Sequence, residues 1–468
     1  MKGVMRLFVR CVMFLSAVLR ITAAVAHTAV SGFIRTLSPA QLVFGGYLTY
    51  ILAGWLLLLL PICRASAKPG ALDHLFTVLS AVSTTGLTTI SISSSYTILG
   101  QLVILALIQL GGIGYMTLGS FIVLSRKPDL PPLREKVGQA VFSLPASFDL
   151  HQFIRSVVTF TLVIETATAA ALYLVFRQAG VEHPLYSAVF HSVSSFCTAG
   201  FSLYDDSMMS FAGNVPLHLA VGLSSYLGAI GFIVCLDYWN KWAGRTKSIT
   251  LTSRIIMGAT FWLSLAGTLL LFVAEPSIKA TPVHERLLAA FFQTMSALTT
   301  VGFNTIDIGS LSKASVLLLT VFMVIGASPS GTGGGIKVTT FSAVLGVIRS
   351  AARGEGDVRF WGRVIPFERV WMAVASFGLY LFVLMGGLYL LNLTEPTPFD
   401  KNLFEAASAL GTVGLSMGIT AGLTAMGKLT IILLMFIGRV GPMTFGAALF
   451  VRIPEKQESE PSDSDLAV

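Results

Sequence analysis

Charge is what this chain has least of. Only 12% of its 468 residues are Asp, Glu, Lys or Arg, against 54% hydrophobic, whereas soluble domains average about 25% charged residues. So few charges cannot cover a water-soluble surface of this size. That excludes a soluble enzyme, a disordered chain and a nucleic-acid-binding module. The formal net charge of +8 does not reopen the last class, because the basic residues fall in loops between apolar runs. Cysteine is also scarce. Cys11, Cys63, Cys197 and Cys235 lie far apart with no CxxC or Cys/His ligand spacing, so neither a disulfide framework nor a zinc site is expected. No GxGxxG opens a Rossmann segment, so no nucleotide cofactor is expected on this chain. Carboxylates at membrane depth are nearly absent, with Glu165 and Glu405 the plausible exceptions.

What is present is long apolar runs. A spanning helix needs about 20 largely apolar residues. Candidates cover roughly 42–62, 98–124, 152–176, 215–237, 253–274, 313–348, 369–392 and 428–451. Shorter apolar segments at about 73–83, 186–196, 287–298 and 402–410 are too short to span and read as re-entrant half-helices. One alternate set of loops holds twenty basic residues and the other six. Eight spans in the cell membrane with both termini cytoplasmic fit that bias. The half-helices then enter from outside. Lys2, Arg6 and Arg10 precede an apolar run, and Ala24-Val25-Ala26 resembles a signal-peptidase site. Arg20 interrupts the run, and cleavage would put the basic loops on the wrong face. An uncleaved basic helix at the cytoplasmic surface is expected.

A fourfold internal repeat is the most specific signal. Aligned on Gly86, Gly200, Gly302 and Gly414, the chain has threonine two residues earlier: Thr84, Thr198, Thr300 and Thr412. Serine lies six earlier (Ser80, Ser194, Ser296, Ser408) and phenylalanine ten earlier (Phe76, Phe190, Phe292, Phe404). Each repeat reads as span, half-helix, Thr-x-Gly strand and span. The expected fold class is all-α and integral to the membrane, with four such modules around one central pore. A basic N-terminal segment (1–40) is followed by modules at 41–125, 126–238, 239–350 and 351–452, then an acidic cytoplasmic tail (453–468). Glycine reaches positive φ without strain, so each turn can aim successive carbonyls one way. Extended backbone at membrane depth is tolerated only inside protein or lining a wet cavity. Four strands, Thr84-Thr85-Gly86, Thr198-Ala199-Gly200, Thr300-Val301-Gly302 and Thr412-Val413-Gly414, would form a ring of carbonyls. Half-helix C-termini add partial negative charge at its centre. Such a ring suits a dehydrated K+. Thr77, His191, Gln293 and Glu405 form a further row, nine residues before each glycine, and are expected to support the half-helices.

A second glycine row lies in the later span of each repeat: Leu110-Gly111-Gly112-Ile113-Gly114, Leu227-Gly228-Ala229-Ile230-Gly231 and Ile437-Gly438-Arg439-Val440-Gly441. The third copy begins Ile325-Gly326-Ala327 and departs into Ser328-Pro329-Ser330-Gly331-Thr332-Gly333-Gly334-Gly335-Ile336-Lys337. No helix runs undisturbed through that stretch. It predicts two half-helices joined by a polar loop in the pore, a candidate gate. A phosphate-binding P-loop fails, because Ile336 and Val338 stand where Gly and Ser/Thr are needed. Arg439 sits mid-span, where a charge usually faces a cavity and has a function. Beneath the ring it would be a barrier to cations.

These residues resemble the Trk/Ktr/HKT superfamily of potassium transporters from about residue 40 to 452, and most closely its KtrB-type subunits. The resemblance rests on the four Thr-x-Gly segments together with Leu87, Phe201, Phe303-Asn304-Thr305 and Leu415-Ser416-Met417-Gly418. It implies a pore-lining filter, a gating loop at 326–337 and a gating arginine at Arg439. It also implies a homodimer with one pore per subunit, seated on a separate cytosolic gating ring of KtrA or TrkA type that carries the nucleotide. Membrane lipid is the other expected partner. Cys197 and Ala199 make the second segment the loosest match to the Thr-Val-Gly pattern.

Gated, passive potassium conduction is the leading expectation. A sodium- or proton-coupled transporter of a small cation is the alternative, and would use intramembrane carboxylates. An intramembrane enzyme would need a nucleophile and base. Ser328 or Ser330 with His191 or His218 is the best set, and no spacing supports it.

Overall fold

The computed structural model describes residues 39–66, 69–114 and 150–450. The N-terminal basic segment, the basic loop at 126–136, the end of the second expected span and the acidic tail lie outside these residues.

Strand is confined, among the described residues, to one two-stranded hairpin; the rest is helix and loop. In order come α1 (Pro39–Leu58), α2 (Ala71–Val82), α3 (Ile98–Ile113), α4 (Leu150–Gln178), α5 (Pro184–Phe196), α6 (Val215–Ile230), α7 (Phe232–Trp242), α8 (Leu251–Ala274), α9 (Val283–Thr299), α10 (Lys313–Ile325), α11 (Val338–Ala352), β1 (Arg359–Phe360), β2 (Arg363–Val364), α12 (Phe367–Thr394), α13 (Phe399–Leu410), α14 (Ala425–Val440) and α15 (Pro442–Phe450). Helices α1, α4, α8 and α12 are long and apolar enough to cross a bilayer. Many of their large apolar side chains face outward, including Leu52, Leu162, Phe261 and Phe382, as lipid-facing surface requires. The protein is a multi-pass membrane protein.

Helices α2, α5 and α13 have 12 or 13 residues, about 18–20 Å at 1.5 Å per residue. That is short of the roughly 30 Å hydrocarbon core. Each is almost wholly buried in its C-terminal half, and Phe76, Phe190, Phe292 and Phe404 are sealed from solvent. The phenylalanine column is therefore core that fixes the half-helices. Two of the expected spans are not straight. Helices α6 and α7 meet at 94° and α14 and α15 at 95°. The bends fall at Gly231 (φ 96°) and Gly441 (φ 89°), a conformation that favours glycine.

Every helix leaving a Thr-x-Gly segment starts with a side-chain cap. Thr97, Asn214, Ser312 and Thr424 accept from the backbone N–H three residues on, which satisfies one of the unpaired N-terminal donors. Two of these caps are tied to the preceding long helix. The carboxylate of Glu275, just past α8, accepts from Ser312 N (3.1 Å) and Ser312 Oγ (2.9 Å). Glu395, just past α12, does the same for Thr424 N (3.1 Å) and Oγ1 (2.6 Å). Burial pushes the Glu275 carboxyl up, but donors from Ser277, Ser315 and Ser312 outweigh it and hold it down at about 2. A depressed carboxylate contributes stability above its unfolded value, about 4.3 for Glu, and loses it as pH falls toward 2. Glu275→Gln is therefore expected to flatten the acid limb of thermal stability between about pH 4 and 2, read as Tm against pH in detergent. An unchanged limb would refute this role.

Candidate functional site

Each half-helix ends in the same backbone move. Thr84, Thr198, Thr300 and Thr412 all adopt left-handed φ (53°, 50°, 60°, 48°), and Gly86, Gly200, Gly302 and Gly414 are left-handed too (93°, 65°, 79°, 98°). The glycines were legible as positive-φ positions. The threonines were not, since a β-branched residue at positive φ is a costly outlier. The conformation is held by hydrogen bonds back to the half-helix. Thr85 N, Ala199 N, Val301 N and Val413 N donate to the carbonyls of Ser80, Ser194, Ser296 and Ser408 (2.8, 2.8, 3.1 and 2.8 Å). Three of these serines also act through their hydroxyls, while Ser194 Oγ is buried without a partner among the described residues. Gly86 N donates to Ser80 Oγ and Gly414 N to Ser408 Oγ, both at 3.0 Å, while Ser296 Oγ donates to Phe303 O (2.6 Å).

With the N–H groups turned back, the carbonyls are left over. Among the described residues, no carbonyl of the four Thr-x-Gly triplets accepts a hydrogen bond from the protein. The triplets close on one another. A β-carbon at Gly86 would strike Ala199 O, at Gly200 Val301 O, at Gly302 Val413 O and at Gly414 Thr85 O. The sequence first→second→third→fourth→first is a closed ring, and only glycine fits its contacts. All four glycines line one cavity of about 410 Å³, together with Asn304, Ser416 and Asp205, whose carboxylate is its only charged group among the described residues. Between the first and fourth triplets the ring is clamped by Lys428 Nζ, 2.7 Å from Asp73 Oδ1.

The row nine residues before each glycine steadies the chain just after the triplet. His191 Nε2 lies 3.0 Å from Ser202 Oγ, and Gln293 Nε2 donates to Thr305 Oγ1 (3.1 Å). Glu405 accepts from Ser416 Oγ and from Thr420 Oγ1 (3.1 Å). Thr77 differs in bonding back to Asp73 O (2.9 Å). Cys197 does not face the cavity. Its side chain is buried behind the second triplet, with Sγ 3.5 Å from Gln109 Oε1 and 3.9 Å from Glu165 Oε1. Gln109 Nε2 donates to Glu165 Oε2 (3.2 Å). Neither Glu165 nor Glu405 lines the cavity.

On the other side of the ring lies the segment Gly326–Lys337, between α10 and α11. It folds back on itself through Ala327 N to Gly334 O (3.0 Å) and Lys337 N to Ile325 O (3.1 Å). It is tied to the end of α6 by Ser328 N to Ala229 O and Thr332 N to Gly228 O, both 3.0 Å. Phe232 N, at the start of α7, donates to Ser330 O (3.3 Å), and Pro329 O lies against the Gly231 bend. It then touches the threonine of every triplet. Thr84 Oγ1 donates to Thr332 O (3.5 Å), Thr198 Oγ1 to Thr332 Oγ1 (3.1 Å), and Gly334 N to Thr300 Oγ1 (3.0 Å). A β-carbon at Gly334 would strike Thr412 Oγ1.

Gly326 aligns in sequence with Gly111, Gly228 and Gly438, but it does not play their part. Those three pack against the carbonyls of Val82, Phe196 and Leu410, just before each triplet. In the third repeat the nearest approach comes from Gly333, one residue further along, where a β-carbon would be 2.7 Å from Thr299 O. Gly331 and Gly335 pack equally tightly, against Ala229 O and Gly326 Cα.

Two cations hold the loop. Arg439 Nη1 donates to Thr332 O (2.5 Å) and Thr84 Oγ1 (3.0 Å), and its Nη2 donates to the carbonyls of Gly111 and Gly112. Lys337 Nζ donates to Gly333 O (2.6 Å). Ser328 and Thr332 are buried. The candidate nucleophiles Ser328 and Ser330 have no hydrogen bond to His191 or His218, whose Nδ1 atoms lie at the carbonyls of Ser187 and Asn214. Nothing here is arranged for nucleophilic chemistry.

A family model described as TrkH, cation transport protein, matches residues 48–460. The chain is 34% identical over 419 residues to the Ktr system potassium uptake protein B of Bacillus subtilis, covering 88% of this chain and 93% of that protein. It is 35% identical over 429 residues to the potassium/sodium uptake protein NtpJ of Enterococcus hirae, covering 89% and 94%. In fold it is similar to the crystal structure of the potassium transporter TrkH from Vibrio parahaemolyticus, with a TM-score of 0.72 over 88% of this chain and 85% of that one, at 21% identity. These are cation transporters and not enzymes. The chain belongs to the TrkH family of cation transport proteins.

Proposed function

We propose that this protein takes up potassium by conducting it down its electrochemical gradient through the ring of Thr-x-Gly carbonyls. The carrying observation is that these carbonyls, gathered in one closed ring, accept nothing from the protein among the described residues. A buried acceptor left unsatisfied is costly, and a partly dehydrated K+ is the natural partner for such a ring. The reading has four pseudo-symmetric modules and eight spans, with α10 and α11 as the halves of the sixth. The segment 326–337, with Lys337 and Arg439, is the gate. A separate nucleotide-binding ring controls it from the basic face, where both termini lie, and two subunits form a homodimer. The relatives' names, as potassium uptake proteins of Ktr systems, support the ion and the multi-component assembly. A coupled transporter would place a buried carboxylate on the path; Glu165 and Glu405 both lie off the cavity, and Asp205, which lines it, is exposed and accepts from Ser91 Oγ (2.6 Å).

The test is potassium-dependent growth and rubidium uptake in a host lacking its own potassium uptake systems, with and without a ring subunit. Growth at low potassium and uptake stimulated by the ring are expected. No potassium-dependent growth with folded protein in the membrane would overturn the ion assignment. Uptake that requires Glu165 or Glu405 as an acid, lost in Glu→Gln variants, would favour coupling.

A further inference from the structure

The hairpin β1–β2 has no part in the ring or the gate. It pairs Arg359 with Val364 and Phe360 with Arg363 across Trp361 (φ 47°) and Gly362 (φ 76°), a tight two-residue turn. An isolated two-stranded hairpin is marginal in water, and this one leans on α11. Val358 Cγ1 and Phe360 Cζ lie 2.8 and 3.0 Å from where a β-carbon on Gly346 would be. Ser350 Oγ donates to the carbonyls of Glu355 (2.8 Å) and Asp357 (2.9 Å). The face turned away from α11 is exposed and of mixed character. Trp361 is 64% exposed, and Val364, Phe367 and Trp371 are exposed beside it.

Position decides what that face meets. Only Ile365 and Pro366 separate β2 from α12. The 28 residues of α12 are about 42 Å long, more than the roughly 30 Å core. Its only charged residues, Glu368 and Arg369, fall in its first turn, so that turn belongs in the headgroup layer, and the hairpin two residues before it lies at that depth. Aromatic residues at this level form interfacial belts. Around them stand Arg349, Arg353, Arg359, Arg363 and Arg369 against Glu355, Asp357 and Glu368, leaving net positive charge. Arg353 pairs with Glu355 at 4.0 Å and Arg359 with Asp357 at 3.2 Å. Arg363 has no ion pair among the described residues.

We infer that the hairpin is a binding site for anionic phospholipid of the leaflet on the basic face. Arg359, which shares the outward face with Val364, holds the headgroup phosphate, Arg363 adds its positive charge from the Phe360 face, and Trp361 sits at the glycerol level. Arginine suits this because its fork matches phosphate oxygens, and each basic residue near an anionic surface raises lipid preference roughly five-fold. The hairpin packs on α11, which begins at Val338 directly after Lys337, so this site touches the helix that leaves the gate. The lipid site itself does not depend on the potassium reading.

The full chain in phosphatidylcholine vesicles carrying a trace of shallow-quencher-labelled phosphatidylglycerol or phosphatidylcholine tests it. The Trp361 signal is wild type minus Trp361→Phe. Stronger quenching from the phosphatidylglycerol carrier is expected. That preference should fall roughly five-fold in Arg363→Gln, further in Arg359→Gln/Arg363→Gln, and persist in Arg363→Lys. Equal quenching by both carriers, or a preference unchanged in the double variant, overturns the site. No quenching by either would also overturn it, because the hairpin would then stand clear of the bilayer, as a face for a soluble protein.

Discussion

Gly302→Ser is expected to abolish most of the preference for potassium over sodium while leaving the protein in the membrane. Two costs add at this position. Gly302 has φ 79°, and a non-glycine residue held there stores about 1–3 kcal/mol. Its β-carbon would also strike Val413 O and come within 3.0 Å of Gly414 Cα. The fourth triplet must therefore shift with the third, and in a closed ring each displacement is passed to the next member. Selectivity is a difference between two ions in one carbonyl cage. If the strain falls on the bound ion, the potassium preference should drop at least about five-fold. The measurement is rubidium uptake against competing sodium. Gly386→Ser is the matched control, since it lies in a membrane helix with nothing within 4 Å of its β-carbon position and should change nothing. Full selectivity in folded Gly302→Ser would remove the carbonyl ring as the selecting element.

How much of this was open to reading depends on the range of the interaction. The Phe, Ser, Thr and Gly columns were legible because one local solution is written four times, and repetition separates signal from chance. Even so, only the spacing of the serines could be read; the bonding of Ser80 and Ser408 to glycine N–H groups, and of Ser296 to Phe303 O, is a matter of backbone geometry that the left-handed threonines create. The broken span at 326–337 was legible because glycine and proline are local breakers. The bends at Gly231 and Gly441 were not assigned, because an apolar run reads the same on both sides of a corner. Contacts between distant segments left no trace at all. Gln109 and Glu165 behind Cys197, Glu275 and Glu395 at the caps, and Lys428 on Asp73 each join residues that only the folded ring brings together. Gly326 packing on Gly334 and Gly335 of its own loop, and not on the residues before its triplet, belongs to the same class: alignment tracks order along the chain, while contacts follow the fold.

Arg439→Ala is expected to raise rubidium flux, and deleting 331–335 to raise it further. The guanidinium binds two layers at once, since it donates to Thr84 Oγ1 of the ring and to Thr332 O of the loop, and rests on the carbonyls of Gly111 and Gly112. Loss of one hydrogen bond from a charged group costs about 1.5–3 kcal/mol. A loop held partly by such bonds should shift toward its displaced state by roughly 10–100-fold when they are removed. The positive charge adds to the effect, because a cation leaving the ring meets it at close range in a poorly screened site. Arg439→Lys should fall between the two, since an ammonium keeps the charge but cannot span Thr84 and Gly111 with one planar fork. That order, Ala above Lys above wild type, is what separates a gate from a strut. A purely structural arginine would give protein that fails to assemble in both variants, seen as loss of a monodisperse peak in detergent. Folded Arg439→Ala with flux equal to or below wild type would show that the barrier lies elsewhere, in Lys337 and the loop backbone. The deletion of 331–335 would then be the variant that opens the path, because it removes Thr332 O, Thr332 Oγ1 and Gly334 N together, the groups through which the loop grips three of the four threonines.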